Sequence, residues 1–88
     1  MKLSVCSVFD SALQAFTRPV FVPSTGIAIR SFTDEVNRAA PPSENPMFGH
    51  PEDFELRLLA MFDEDTGLFE NSSDGPRVLA RGKDVKQV

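Results

Sequence analysis

Apolar and polar positions alternate with a period of two from Lys2 to Phe9, with Leu3, Val5, Ser7 and Phe9 on one side and Ser4, Cys6 and Val8 on the other. That period is the signature of a β-strand, and apolar groups on both sides predict a strand covered on both faces. A polar connection from Asp10 to Gln14 leads to a second strand over Ala15 to Val22, where Phe16, Val20, Phe21 and Val22 favour extended backbone. Pro19 has no N–H for a ladder, so this strand belongs at a sheet edge or carries a bulge there. Two strands with a short polar joint predict a hairpin.

The period then changes. Pro23-Ser24-Thr25-Gly26 breaks the strand, and Ser24 or Thr25 can accept a hydrogen bond from an orphan N–H at a helix start. Ile29, Phe32, Val36 and Ala39 follow at helical spacing. A later start at Ser31, where Ser31-Phe32-Thr33-Asp34 resembles a capping box, would leave 26–30 extended; the earlier start is preferred. On the polar face Arg30, Asp34 and Arg38 recur every four residues, with Asp34 preceding Arg38 in the favourable order for an ion pair. Pro41-Pro42 ends the helix.

Ser43 to Asp53 reads as a loop. From Phe54 to Phe62 alternation returns, placing Phe54, Leu56, Leu58, Ala60 and Phe62 on one face and Glu55, Arg57, Leu59 and Met61 on the other. The residue types would tolerate a helix; the alternation and the turn that follows favour a strand. Asp63 to Gly67 predicts a hairpin loop with Gly67 at positive φ, and Leu68-Phe69-Glu70 its return strand. Asn71 to Pro76 is a turn cluster, and Arg77 to Arg81 a last short strand. The chain therefore predicts an α+β fold: a small antiparallel sheet, in the order β-β-α-β-β-β, with one helix packed on it. Residues 1–81 form the single domain and 82–88 a flexible basic tail.

Eighty-eight residues bury only a modest core, and domains of this size draw on disulfides, a metal or a partner subunit. Cys6 is the only cysteine and His50 the only histidine, which excludes an internal disulfide and disfavours a metal centre. No cofactor motif is present. Self-association as a homodimer or higher oligomer is the remaining expectation. Leu59 and Met61, opposite the Phe54–Phe62 row, are its candidate contact. The free cysteine and the absence of a secretion pattern suit a reducing cytoplasm, and no apolar run is long enough to cross a bilayer as a helix.

The net charge of −4 is unevenly spread. Lys2, Arg18 and Arg30 face only Asp10 in residues 1–33. Residues 34–76 set Arg38 and Arg57 against eleven acids, and the end of the chain carries Arg77, Arg81, Lys83 and Lys86 against Asp84. A global acidic balance argues against a nonspecific polyanion binder, although two basic ends meeting in space would form a local positive patch.

Four segments carry a family resemblance. They are Lys2-Leu3-Ser4-Val5-Cys6-Ser7-Val8-Phe9-Asp10-Ser11, Arg18-Pro19-Val20-Phe21-Val22-Pro23-Ser24, Ala28-Ile29-Arg30-Ser31-Phe32-Thr33-Asp34-Glu35-Val36-Asn37-Arg38, and His50-Pro51-Glu52-Asp53-Phe54-Glu55-Leu56 followed by Phe62-Asp63-Glu64-Asp65-Thr66-Gly67. Together they resemble the small nonstructural protein of gokushoviruses, Microviridae phages with circular single-stranded DNA. The resemblance implies a DNA-associated role in viral genome replication, in the host cytoplasm. It assigns no site residue.

The residues themselves offer one nucleic-acid constellation. Single-strand binders stack bases on aromatic rings and track phosphates with cations. Strand alternation puts Phe16 and Arg18 on one surface, unless Pro19 marks a bulge. Arg77, Arg81 and Lys83 at the C-terminus, and Arg30 on the helix, are the further phosphate-contacting candidates. Each has a plainer alternative: Phe16 and Phe21 as core, Arg30 in a charge ladder with Asp34, the tail as a solubilising segment. His50 beside Glu52 and Asp53 lacks a nucleophile and an orienting partner, so the chain reads as no enzyme. Asp63, Glu64 and Asp65 lack the spacing of a calcium loop. The leading expectation is a non-enzymatic viral protein that binds single-stranded DNA as an oligomer. The alternative is an adaptor whose acidic middle engages viral or host replication proteins.

Overall fold

The computed structural model describes residues 1–71 and 73–87. Two long strands, β1 (Lys2–Asp10) and β4 (Phe54–Asp63), pair antiparallel along their whole length at the centre of the sheet. Each carries two short strands on its outer side. β2 (Ala15–Phe16) and β3 (Val20–Val22) flank β1, and β5 (Leu68–Asn71) and β6 (Arg77–Arg81) flank β4. The sheet is thus four strands wide, antiparallel throughout. The turns form where the sequence places them. Asp10 Oδ1 accepts from the N–H groups of Ala12 and Leu13. Asp63 Oδ1 accepts from Asp65 N, and Gly67 takes φ 74°, the left-handed region open to glycine at no steric cost.

Three bulges decide which side chains share a face. On β6, Ala80 opposes Leu56 but Val78 opposes Arg57, which leaves Leu79 as the extra residue and turns Arg77 away from Arg81. Opposite β1, the second strand is interrupted at Thr17-Arg18-Pro19: Phe16 opposes Phe9, but Val20 opposes Cys6, one residue out of step. Thr17 secures the interruption, donating from its N–H to Val8 O and accepting the Val8 N–H at Oγ1. On β4, Cys6 opposes Leu58 while Val5 opposes Ala60, so Leu59 is the extra residue. A bulge reverses the alternation beyond it. The expected single row from Phe54 to Phe62 is therefore split. Phe54, Leu56 and Leu58 face one way; Ala60 and Phe62 face the other.

The first face is closed by α1 (Thr25–Val36). Ser24 stands at its N-cap in extended conformation without a side-chain cap bond. Ala28, Phe32 and Val36, one per turn, are buried against Cys6, Phe54 and Leu56, with Val8 and Leu58 at the margin. Burying a residue such as Phe32 contributes about 1.5–3 kcal/mol. The helix stops at Val36, before Ala39, and Arg38 pairs with Glu35 at 2.6 Å rather than with Asp34. This guanidinium holds the Glu35 carboxyl below the usual carboxylate range.

Burial pushes the Cys6 thiol above its ordinary pKa, and the side chain is 0 % exposed. Its reaction with a thiol reagent requires an opening of the β1–α1 core. Native protein is expected to react roughly a thousandfold more slowly than denatured protein, as read by absorbance on reagent release; equal rates would mean that this core is not closed.

The C-terminal segment departs most from the sequence expectation. Instead of a flexible tail, Gly82–Val85 form the short helix α3, and Gly82 is buried; Val88 lies outside the described residues. The reason is the end of α1, where carbonyls run out of intrahelical partners. Asn37 Nδ2 donates to Thr33 O and Val85 O, and Lys86 Nζ donates to Val36 O and to Phe48 O. The Lys86 ammonium also sits 3.5 Å from the centroid of the Phe48 ring. A cation there meets both the helix dipole and an aromatic face. The expected loop 43–53 contains the turn α2 (Pro46–Gly49) and a 3-10 turn (Pro51–Asp53), which carry Phe48 and the Gly82 contact.

Candidate functional site

The second face of the sheet is not covered by α1. Directly opposed residues of an antiparallel pair share a face, so its rows can be read from the register. At one end Phe16, Phe9, Glu55 and Arg81 form a single row across β2, β1, β4 and β6, spanning about 14 Å at the usual spacing between strands. The Phe9 and Phe16 rings meet at 4.9 Å. The Arg57 guanidinium, from the next row, lies 4.6 Å from the Phe9 centroid and 5.6 Å from the Phe16 centroid. Glu55 holds Arg57 at 3.0 Å and reaches Arg81 at 3.7 Å. Beneath this layer Ser7 is buried, donating its hydroxyl to Thr17 O. The result is a cation–aromatic platform with two guanidinium groups to one carboxylate.

At the other end Phe21, Phe62 and Phe69 form a second aromatic cluster, with centroid distances of 4.8–6.1 Å. Val5 and Ala60, paired between the two ends, are buried. The outer rings are not: Phe16 is 42 %, Phe21 48 % and Phe69 54 % exposed. Phe21 and Phe69, whose rings meet at 6.1 Å, form an exposed apolar patch of the kind that marks a contact surface. The acidic turn Asp63–Asp65 lies beyond this cluster, with Asp65 engaged by the Met1 ammonium and Glu70 by Lys2.

The residues singled out in the sequence do not converge as one groove. Phe16 and Arg81 share the open face. Arg18 is exposed in the bulge at the β1 edge. Arg77 opposes Leu58 and so belongs to the helix-covered side. Arg30 is exposed on α1, and Lys83 on α3. Leu59, the bulge residue, and Met61, opposite Ser4, line a shallow cavity of about 240 Å³ beside Glu70. They do not share a flat strand face. Phe21, expected in the core, reaches the open face because the bulge at 17–19 shifts the register.

Sequence reasoning missed Arg57, the centre of the platform. Its signal was an arginine alternating with Glu55 opposite a phenylalanine-rich row. The shared face with Phe9 and Phe16 depends on pairings 41 and 48 residues distant in sequence. His50, Glu52 and Asp53 gather their ligand atoms within 4.8 Å on the 3-10 turn. Asp53 O accepts from the Ser11 N–H and hydroxyl, so this turn ties the β1–β2 hairpin to β4. Among the described residues no helix is long and apolar enough to cross a membrane.

Fold and site together define a small α+β sheet protein, one face closed by helices and the other an open cation–aromatic surface. The chain belongs to the Phage ORF5 protein family, which matches residues 3–85. It is a phage protein. No curated protein and no solved structure matches it.

Proposed function

We propose that this phage protein is a non-enzymatic binder of single-stranded DNA in genome replication, and that the open face of the sheet is its contact surface. The observation that carries the reading is the Arg57 guanidinium over Phe9 and Phe16, on a face where Arg81 and the Arg18 bulge stand at the two edges. Stacking supplies affinity without sequence preference, because every base presents a π-face. Cations at the two edges take phosphates on either side of a stacked base. The overall charge of −4 limits the electrostatic share and leaves stacking as the larger one. The resemblance to gokushovirus nonstructural proteins supports the same role in the host cytoplasm.

The test is fluorescence anisotropy of a labelled single-stranded oligonucleotide across a salt titration. Two or three phosphate contacts give a slope of log K against log salt of about −1.4 to −2.1. Phe16→Ala removes one stacking ring and is expected to weaken binding about tenfold, with Arg81→Glu weakening it further. Double-stranded DNA binds less well, since its bases are not free to stack. No binding at low salt would overturn the proposal and favour the adaptor that uses its acidic middle.

A further inference from the structure

The outward edge of β5 has no partner strand among the described residues. Natural sheets blunt such edges with prolines, bulges and charges, and the other edges here carry these devices. The β2–β3 edge is broken at 17–19 and contains Pro19. β6 follows Pro76, bears Arg77 and Arg81 and runs into α3. β5, Leu68-Phe69-Glu70-Asn71, has no proline, bulge or cation. Leu68 is 65 % and Phe69 54 % exposed. Its one charge, Glu70, is already held by Lys2 at 3.0 Å on the same sheet.

We propose that two copies of this chain pair antiparallel along β5, with Phe69 opposite Phe69, to make one continuous sheet. The register follows from the pleat. A two-fold axis normal to the sheet keeps both open faces on one side, and opposed residues must share a face. Two registers overlap three strand residues. Centring on Glu70 sets two carboxylates against each other. Centring on Phe69 sets ring against ring and Leu68 against Glu70. The edge is thus self-complementary in one register, and its neutralised charge selects no oppositely charged partner; both points favour a second copy as the occupant. The Phe62 and Phe69 rings of the two copies then form one row on a common face, with each Phe21 in the row beside it. A four-residue edge covers less than the roughly 800 Å² per partner of a standard interface, so the dimer is expected to associate in the micromolar range. This inference stands on the strand edge and not on nucleic-acid binding.

Sedimentation velocity on the nucleic-acid-free protein tests it. The expected result is a monomer–dimer equilibrium that Phe69→Lys shifts at least tenfold toward monomer, with the circular dichroism spectrum retained. Register is tested separately by Phe69→Cys. Opposed Cβ atoms lie about 4.5–5.5 Å apart in such a pair, near disulfide reach, so added oxidant links two copies through position 69. Leu13→Cys, 74 % exposed at the β1–β2 turn, does not cross-link at a comparable rate. Cys6, at 0 % exposure, does not compete. A wild-type protein that stays monomeric to several hundred micromolar overturns the proposal. So does a dimer unaffected by Phe69→Lys, or cross-linking at 69 no faster than at 13. Should Phe69→Lys fail to fold, the cross-linking comparison decides. Loss of DNA binding with the dimer intact would refute the other reading alone.

Discussion

Gly82→Ala is expected to lower the melting temperature by about 12 °C or more, although it adds a single methyl group. A Cβ at Gly82 would collide with Pro51 O and lie 2.9 Å from the Pro51 carbonyl carbon, with Phe54 O at 3.2 Å. These are backbone atoms, so no flexible side chain can swing aside. Pro51 O is itself fixed, accepting the Phe54 N–H at the point where the 3-10 turn enters β4. To admit the methyl, α3 must move away from the turn. That withdraws the residues holding the end of α1, Lys86 and the Val85 carbonyl. Overpacking of this kind costs about 3 kcal/mol, against a total of about 4–13 kcal/mol for 88 residues. At roughly 4–8 °C per kcal/mol for a domain of this size, thermal denaturation followed by circular dichroism resolves the effect easily. Gly49→Ala is the control. Nothing lies within 4 Å of its Cβ and its φ is not positive, so its melting temperature stays near that of the wild type. An unchanged melting temperature for Gly82→Ala would mean that α3 does not dock on the 3-10 turn.

That contact also explains what was and was not legible in the sequence. Period, turn chemistry and prolines are local signals, and they located all the long elements: β1, β4, the helix from Thr25, the Asp63–Gly67 hairpin and the weak point at Pro19. Gly82 gave no such signal. A glycine opening a basic C-terminal run looks like the start of a tail, and only the proximity of Pro51, 31 positions earlier, makes it a packing position. Lys86 is similar: its role exists because α1 ends with open carbonyls near Phe48. Leu59 shows the other limit. Nothing in Phe54-Glu55-Leu56-Arg57-Leu58-Leu59-Ala60-Met61-Phe62 marks the bulge. It is created by pairing with β1, and it moves Ala60 and Phe62 from the helix side to the open face. The candidate site inherits this. Phe16 and Arg81 were visible as residue types, but Arg57 emerges only once β1 and β2 are laid beside β4. Arg30 and Arg77 drop out for the same reason, since their sidedness is set by α1 packing and by the Leu58 pairing.

Asn45 is expected to be the most costly polar residue to replace, and the form of the loss is diagnostic. It is 2 % exposed in a chain segment that reads as loop. Its amide nitrogen donates to Glu35 O and to Arg38 O, each at 2.8 Å, and its amide oxygen accepts the Met47 N–H at 3.2 Å. One side chain thus closes the end of α1 and starts α2. Asn45→Ala removes three hydrogen bonds at once and leaves Arg38 O and Met47 N without this partner, while Glu35 O keeps the Arg38 N–H, a loss of about 2–3 kcal/mol. Denaturant titration should show this loss with little dependence on pH. Asn45→Asp keeps the shape but turns an acceptor toward two carbonyl oxygens. Its carboxyl can satisfy one of them only as the neutral acid, donating its proton while the other oxygen still accepts from Met47. Folding therefore raises the pKa of this group. The sign follows from linkage: stability is retained below the ordinary aspartate range, where the acid is neutral in both states, and falls as pH rises toward the folded pKa. At neutral pH Asn45→Asp is thus expected to be less stable than Asn45→Ala, and the order reverses in acid. Parallel pH profiles for the two variants would show that the Asn45 amide does not face the two carbonyls.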